Sequence, residues 1–289
     1  MIINGKTRTC GLIGKPVEHT MSPLIHNTLA GKLGLPLVYV PFLVEEDVEA
    51  AVRGAWHLNV LGMNVTVPYK SEVIAALSEC DELAARIGAV NTLVRGNKGF
   101  KGYNTDISGL FRAMSSEGIR IEGEEIILLG AGGAARAVAY LLASHKAKKV
   151  YLMNRSLPRA EQVADEVNTA FGRVGIQAME LSAYSSLPER PMLCIQATSV
   201  GLAPEVDRVV IEEDAFYRRI HTGYDLIYRP ANTRFMQLVR AHGGKAYHGL
   251  KMLLYQGVEA FELWNQIKVE EGLALEVYER MKEAMGIEE

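Results

Sequence analysis

The sequence predicts an α/β protein built as two α/β units, each with its own sheet. Apolar strand-like runs alternate with amphipathic helical stretches from end to end, and no repeat or low-complexity tract interrupts them. A chain of 289 residues is long for one core and comfortable for two. Hydrophobic residues make up 48% and charged ones 22%, the balance of a folded globular chain. The formal net charge of −3 gives no reason to expect nucleic acid or an anionic membrane as a partner, so an anion site must be a local cluster of basic residues. The opening MIINGKTRTCGLIG lacks a long apolar segment behind a basic end and does not read as a signal peptide. The most apolar region, EIILLGAGGAARAVAYLLA, is broken by glycines and by Arg136, which makes it a poor membrane span. Cys10, Cys80 and Cys194 are odd in number and far apart, which predicts reduced, buried thiols in a cytoplasmic protein with no disulfide framework and no metal site.

In the first series, TCGLIG, LVYVPFLV, LGMNVTV and AVNTLVRG read as strands, with helical patterns such as SPLIHNTLAGKLG and EEDVEAAVRGAW between them. That alternation predicts crossover connections and a largely parallel sheet. NVTVPYK, residues 64–70, is an alternating strand that runs into proline: Val65 and Val67 face one way, Asn64 and Thr66 the other, and Pro68 has no amide hydrogen to give. Lys70 follows two residues later. It is either a solvated charge at a strand end or an ammonium delivered, behind a row of hydrogen-bonding groups, to a site. FKGYNTD reads as a strand ending at Asp106, where the helix-like ISGLFRAMSSEG begins. The second series runs through EEIILLGAG, KKVYLMNR, GIQAMEL, PMLCIQATSV and TGYDLIY, with helices at GAARAVAYLLASHK and LPRAEQVADEVNTAF. The C-terminal segments GLKMLLYQGVEAFELWNQ and EEGLALEVYERMKEAMG are helical, have no strand of their own to cover, and are expected to return to the first domain. The expected domains are therefore 1–106 with 248–289, and 107–247, with two chain crossings and a cleft between them.

IILLGAGGAARA is a buried-strand run, then Gly130, Gly132 and Gly133, then a helix with Ala135 in the third fingerprint place. This is the GxGxxA form of the dinucleotide fingerprint: a tight turn, close backbone approach to a pyrophosphate, and close helix–strand packing, with helix amides facing the anion. The second domain is thus expected to be Rossmann-like. At the end of the next strand, where an NAD site would carry Asp or Glu for the ribose, stand Asn154, Arg155 and Ser156, with Arg159 a helical turn along. Two guanidinium groups and a hydroxyl suit a 2′-phosphate, and cations at a helix start oppose the macrodipole unless an anion joins them. The cofactor expected is NADP.

In GKPVEHTMSPLIHN, Ser22 lies just ahead of a helix that Pro23 opens, where it reads equally as an N-cap or as a ligand group. Thr20 has no capping duty in this reading, so the pair offers two hydroxyls and free amides as a seat for a carboxylate. Taken in order, GKPVEHTMSPLIHN, NVTVPYK, GAVNT, GYNTD, GAGGAARA, NRS, QATSVG, YDLIYRP and GLKMLLYQG resemble the motifs of the shikimate dehydrogenase family over almost the whole chain. The resemblance implies NADP-dependent, reversible reduction of 3-dehydroshikimate to shikimate, on the route to chorismate and the aromatic amino acids. It implies a first domain that binds substrate and carries the catalytic groups. Carried over position by position, Thr20 and Ser22 would hold the substrate carboxylate, with Tyr228 near that end. Asn64, Thr66, Asn91 and Gln256 would bind the hydroxyls, and Lys70 and Asp106 match the catalytic pair. The cofactor positions implied are Gly130, Ala131, Gly132, Gly133, Ala134, Asn154, Arg155, Ser156, Arg159, Thr198, Ser199, Gly249 and Met252. A monomer or a homodimer is expected.

Three positions depart from the family's commonest pattern. Thr20 stands where serine is usual, and its extra methyl narrows the carboxylate pocket, which bears on shikimate against quinate. Gln196 replaces the asparagine usual before ATSVG, and Lys251, given no role, stands where a small or varied residue is common. Hydride delivery to a ketone makes an alkoxide, so the site needs a proton donor or a cation beside the carbonyl oxygen, and Lys70 can be both. Asp106 reads as its partner or as the cap of the following helix. His19 and His26 lie near these residues without a metal-binding pattern, and turn or helix packing explains them. The YxxxK spacing occurs twice, at Tyr247/Lys251 and Tyr278/Lys282, neither in the context of an N-terminal cofactor domain. Two alternatives stay open: a quinate/shikimate dehydrogenase with relaxed cofactor use, and a non-catalytic NADP-binding regulator. A sensor has no need of a Lys/Asp pair, which argues against the second.

Overall fold

The computed structural model describes residues 2–172 and 175–287. The chain forms two compact units, one containing residues up to Leu110 and those from Leu253 onward, the other Phe111–Met252.

The first unit begins with β1 (Arg8–Gly14), α1 (Ser22–Lys32), β2 (Leu37–Leu43), α2 (Val48–His57) and β3 (Gly62–Val65). A 3-10 turn (Glu72–Ala76) leads to β4 (Glu79–Cys80), α3 (Glu82–Ile87), β5 (Thr92–Arg95), β6 (Phe100–Tyr103) and α4 (Thr105–Ser116). Caps mark the helix starts the sequence allows: Asp47 Oδ1 accepts from the Ala50 amide at 2.8 Å, and Asp81 Oδ2 from the Leu83 amide at 3.0 Å. The sheet order is β2-β1-β3-β5-β6-β4. It is less parallel than the alternation of strands and helices predicts, because β5 runs antiparallel to both β3 and β6. Only the four residues Gly96 to Gly99 join β5 to β6, closed by the Gly96 amide on the Gly99 carbonyl at 2.8 Å, and so short a link permits a hairpin but no crossover. β2 is an edge strand with Pro41 inside it, tolerable because only one side of an edge strand needs donors. Val48, Val52, Met63, Val65, Leu93 and Phe100 share one apolar cluster under the sheet.

The second unit contains β7 (Glu125–Leu129), α5 (Gly133–Ser144), β8 (Lys149–Asn154), α6 (Leu157–Phe171), β9 (Gly175–Glu180) and β10 (Met192–Gln196). It continues with α7 (Asp214–Tyr217), β11 (Ile220–Asp225), α8 (Arg234–Ala241) and β12 (Lys245–Tyr247). All its pairings are parallel, in the order β12-β11-β10-β7-β8-β9. Counted from its first strand this is 3-2-1-4-5-6, the doubly wound arrangement in which the order of strands across the sheet reverses between β7 and β10. Both of those strands read as near-continuous apolar runs because helices cover both faces of a parallel sheet, and all five residues of β10 are buried.

The last helices, α9 (Leu250–Asn265) and α10 (Glu271–Met285), supply the residues from Leu253 onward to the first unit, as their lack of a strand to cover predicts. Trp264 of α9 donates its indole N–H to the Leu93 carbonyl at 2.9 Å. Its ring lies where a Cβ on Gly62 would stand, 2.1 Å from the nearest ring atom, so Gly62 is the residue that lets α9 reach β3. Among the described residues no helix is long and apolar enough to cross a membrane.

Candidate active site

In the first unit the polar residues cluster where β3, β5 and the start of α4 come together. Register places Asn64 opposite Thr92 and Thr92 opposite Tyr103 across three strands. The buried Asn64 amide donates to the Asn91 carbonyl at 3.2 Å and to Thr92 Oγ1 at 3.1 Å, while its Oδ1 accepts the Tyr39 hydroxyl at 2.8 Å. Both amide hydrogens are thereby used, and what Asn64 retains is one oxygen lone pair. Asn91 is the opposite case. Its Oδ1 is crowded by the Thr105 amide at 2.7 Å and by the Thr92 and Thr105 hydroxyls, each at 3.2 Å. Its Nδ2 donates to Gln256 Oε1 at 3.5 Å, which leaves one N–H. Gln256 likewise spends one amide hydrogen on the Leu253 carbonyl at 2.8 Å and keeps the other. The cluster therefore presents an acceptor from Asn64 and donors from Asn91 and Gln256.

Lys70 Nζ meets Asp106 Oδ2 at 2.6 Å, with the side chains 34% and 23% exposed. The pair is tied to Asn91 from both directions. The Val90 amide donates to the Lys70 carbonyl at 2.7 Å, and Thr105, which bonds Asn91, precedes Asp106 in the chain. Asp106 does not end a strand, as its sequence suggested. It sits in the first turn of α4, and Asn104 Oδ1 accepts from the Ile107 amide at 3.4 Å in the capping role. A carboxylate in that turn is favourably placed against the helix dipole. The strand in NVTVPYK likewise stops at Val65, although the Thr66 amide still donates to the Ile13 carbonyl of β1 at 2.9 Å. Thr66 packs its methyl over Gly14, and its hydroxyl makes no hydrogen bond among the described residues.

Thr20 and Ser22 exchange the duties expected of them. Ser22 is the first residue of α1 and caps nothing, whereas Thr20 Oγ1 accepts from the Ser22 amide at 3.2 Å and lies 3.1 Å from Ser22 Oγ. The two hydroxyls are adjacent all the same. Buried behind them, His26 stacks on Tyr39 with centroids 4.2 Å apart. Burial lowers the imidazole pKa to about 3, opposed by the nearby Asn64 side chain, although neither ring nitrogen makes a hydrogen bond of normal geometry. His26 is thus a neutral packing residue.

The second unit holds a cavity of about 800 Å3 at the ends of β7 and β10, lined by Gly130 to Ala134, Asn154, Thr198, Ser199 and Tyr228. Gly130 has φ 112°, and a Cβ there would also press on Thr198 and the Ala197 carbonyl, so its turn requires glycine. A Cβ on Gly132 or Gly133 would meet no protein atom within 4 Å. The protein's own packing does not require glycine at either, and the open space above them suits a group that approaches the backbone at the uncapped start of α5. Ala135 is fully buried, consistent with close packing of α5 on the sheet.

Arg155 and Arg159 are exposed at the start of α6, whose first turn has no acidic residue, and neither makes an ion pair among the described residues. Asn154 Nδ2 donates to the Ser156 carbonyl at 2.9 Å. These residues fit a phosphate-bearing dinucleotide. Gly249 and Met252 do not line the cavity. Gly249 packs against the loop after β11, its amide donating to the Ile227 carbonyl at 3.0 Å, and a Cβ would stand 2.1 Å from the Leu226 carbonyl oxygen. Lys251 forms an ion pair with Glu117.

Two residues without an assigned role shape these sites. Asp225, fully buried at the end of β11, accepts from the Thr233 hydroxyl at 2.6 Å, the Ile227 amide at 3.0 Å and the Gln196 amide at 3.3 Å. Burial raises its carboxyl to about 6, opposed by the Thr233 hydroxyl and the Ile227 amide. Gln196 also accepts from the Thr198 amide at 2.5 Å and donates to the Val200 carbonyl at 3.2 Å, so the glutamine braces the loop before the cavity. A lone acid ending an apolar strand was the signal for Asp225. For Tyr39 the signal was a phenol on the inward-facing side of an alternating strand, where its hydroxyl needs a partner.

A glycine turn at the switch point of a doubly wound sheet is how dinucleotide-dependent oxidoreductases seat a pyrophosphate, and the architecture places the chain in that class. Comparison with known proteins narrows it. Residues 12–93 match the shikimate dehydrogenase substrate binding domain, 113–200 the shikimate / quinate 5-dehydrogenase family and 249–277 the shikimate 5'-dehydrogenase C-terminal domain. A shikimate dehydrogenase (NADP(+)) of Desulforamulus reducens is 43% identical over 268 residues, 91% of each chain. The structure of a Listeria monocytogenes shikimate 5-dehydrogenase in complex with shikimate and NAD superposes with a TM-score of 0.88 at 29% identity, covering 96% of this chain and 98% of that one. A shikimate dehydrogenase in complex with NADP+ superposes with a TM-score of 0.86 at 34% identity, over 97% of both chains. The chain belongs to the shikimate dehydrogenase family.

Proposed function

We propose that the protein catalyses the reversible, NADP-dependent reduction of 3-dehydroshikimate to shikimate. The observation that carries the proposal is the Lys70–Asp106 pair at 2.6 Å, braced by the Val90 amide on the Lys70 side and by Asn91, through Thr105, on the Asp106 side, next to a buried set of amides and hydroxyls. Bound NADPH supplies the hydride. As the substrate carbonyl becomes an alkoxide, the Lys70 ammonium lies beside the developing charge and donates its proton, and the Asp106 carboxylate orients it. In the oxidative direction Lys70 takes the hydroxyl proton. Asn64 accepts from a ring hydroxyl, Asn91 and Gln256 donate to others, and Thr66 has its hydroxyl to spare. Thr20 and Ser22, adjacent at the start of α1, hold the carboxylate.

Gly130 to Ala134, Asn154, Thr198 and Ser199 seat the cofactor, assisted by Gly249 through the loop after β11 that it supports, and by Met252. Arg155, Ser156 and Arg159 bind the 2′-phosphate that distinguishes NADP from NAD. Cys10 and Cys194 are buried free thiols, which supports a reducing compartment, the cytoplasm. The test is absorbance at the nicotinamide band with shikimate or quinate, each with NADP or NAD. Turnover greatest with shikimate and NADP is the expected result; no turnover of shikimate with either cofactor overturns the proposal. Quinate turnover equal to that of shikimate would favour the relaxed-specificity reading.

A further inference from the structure

We propose that Tyr39 is a positioning residue for substrate recognition, its hydroxyl fixing the Asn64 amide so that a carboxamide oxygen lone pair is left for a substrate hydroxyl. The inference rests on the function proposed above. Tyr39 lies on edge strand β2, and it is held at three levels. Its backbone is gripped by Asn27 of α1, which accepts from the Tyr39 amide and donates to the Tyr39 carbonyl, both at 2.9 Å. Its ring is stacked at 17° on His26 and packs near Trp264 at 6.0 Å. Its hydroxyl donates to Asn64 Oδ1 at 2.8 Å, and the residue is 1% exposed.

A carboxamide can flip, exchanging an acceptor for two donors at nearly the same shape. The Asn64 amide hydrogens go to the Asn91 carbonyl, which can only accept and so sets which end of the amide is nitrogen, and to Thr92 Oγ1; the Tyr39 hydroxyl then holds the oxygen end in place by donating to one of its two lone pairs. The Ser22 hydroxyl is also close to the phenol oxygen. One buried hydroxyl therefore stands next to two of the residues assigned to opposite ends of the substrate, and a phenylalanine at 39 would fill the same space without setting either. Packing alone does not call for the oxygen.

The test is a double-mutant cycle on the full-length protein, measured as shikimate oxidation with saturating NADP, for the wild type, Tyr39→Phe, Asn64→Ala and the double variant. Loss of a donor to a buried acceptor predicts a fall of roughly tenfold in kcat/KM for shikimate, carried mainly by KM, with KM for NADP unchanged. In the Asn64→Ala background the same substitution should change kcat/KM less than about twofold, since the group it acts through is gone. An equal loss in both backgrounds, or a Tyr39→Phe protein that does not fold, would make the hydroxyl a stability element and overturn the assignment. Wild-type kinetics in Tyr39→Phe would overturn it while leaving the proposed function intact, whereas an inert wild type would remove both.

Discussion

Replacing Lys70 by alanine separates what this residue does for the fold from what it does for the reaction. The Lys70 side chain is 34% exposed and that of Asp106 23%, so water already screens the pair and can solvate the carboxylate left behind. Ion pairs of this exposure contribute about 0–1 kcal/mol, which for a protein of this size moves the melting temperature by roughly 2–4 °C at most. Removing a proton donor from the transition state costs about 10²–10⁴ in rate, or some 3–5 kcal/mol of activation free energy. The two effects differ severalfold, and a single preparation can report both. The expected outcome is a kcat for shikimate oxidation lowered roughly 10² or more, a melting temperature within about 4 °C of wild type, and unchanged NADPH binding by nicotinamide fluorescence. A kcat within threefold of wild type would refute the catalytic assignment. A large loss of stability would refute the reasoning from exposure.

Arg155→Ala should raise KM for NADP roughly tenfold or more and bring the NADP/NAD preference toward unity, because a charge-assisted bond to phosphate contributes about 1.5–3 kcal/mol. An unaltered ratio would remove the phosphate assignment. Gly132 has φ −86° and open space above it, so Gly132→Ala should leave the urea midpoint nearly unchanged and still weaken NADP binding roughly tenfold. A fall in stability without a change in binding would contradict the cradle. Asp225, raised from 3.8 to about 6, binds its proton more tightly when folded, so it favours the native state below pH 4 and loses that contribution as pH rises through 6. His26, lowered to about 3, acts in the opposite sense over the same range, so the comparison that isolates Asp225 is wild type against Asp225→Asn. The stability difference between them should shift toward the variant by up to about 3 kcal/mol between pH 4 and 7 in urea unfolding, and parallel pH profiles would exclude the effect.

What could be read from the chain before its fold was known was whatever a few consecutive residues decide. The glycine turn after β7 was legible because the apolar run, the glycines and Ala135 are neighbours in sequence, and each answers to local geometry. The helical C-terminus was legible because it lacked any strand to cover. The direction of β5 was less so, since two glycines three positions apart can end a strand or turn a hairpin. Asp106 was placed one element too early for a similar reason: NTD suits a strand end and a helix start equally, and the Asn104 cap decides between them. Asn91 as the hub of the polar cluster could not be foreseen from spacing at all. Its partners Thr105 and Gln256 lie 14 and 165 residues away and meet it only through the fold. The same holds for Tyr39 and Asn64, 25 residues apart on strands separated by β1.

Pro41 on the outermost strand of the first sheet bears on behaviour in a crowded solution. A bare strand edge invites a stray chain to dock and lengthen the sheet, the first step toward aggregates. Here the invitation is broken midway, because an incoming strand would find no N–H at Pro41, and Phe42 and Leu43 beyond it are too short an apolar stretch to compensate. Pro41 thus helps keep neighbouring copies from zipping together.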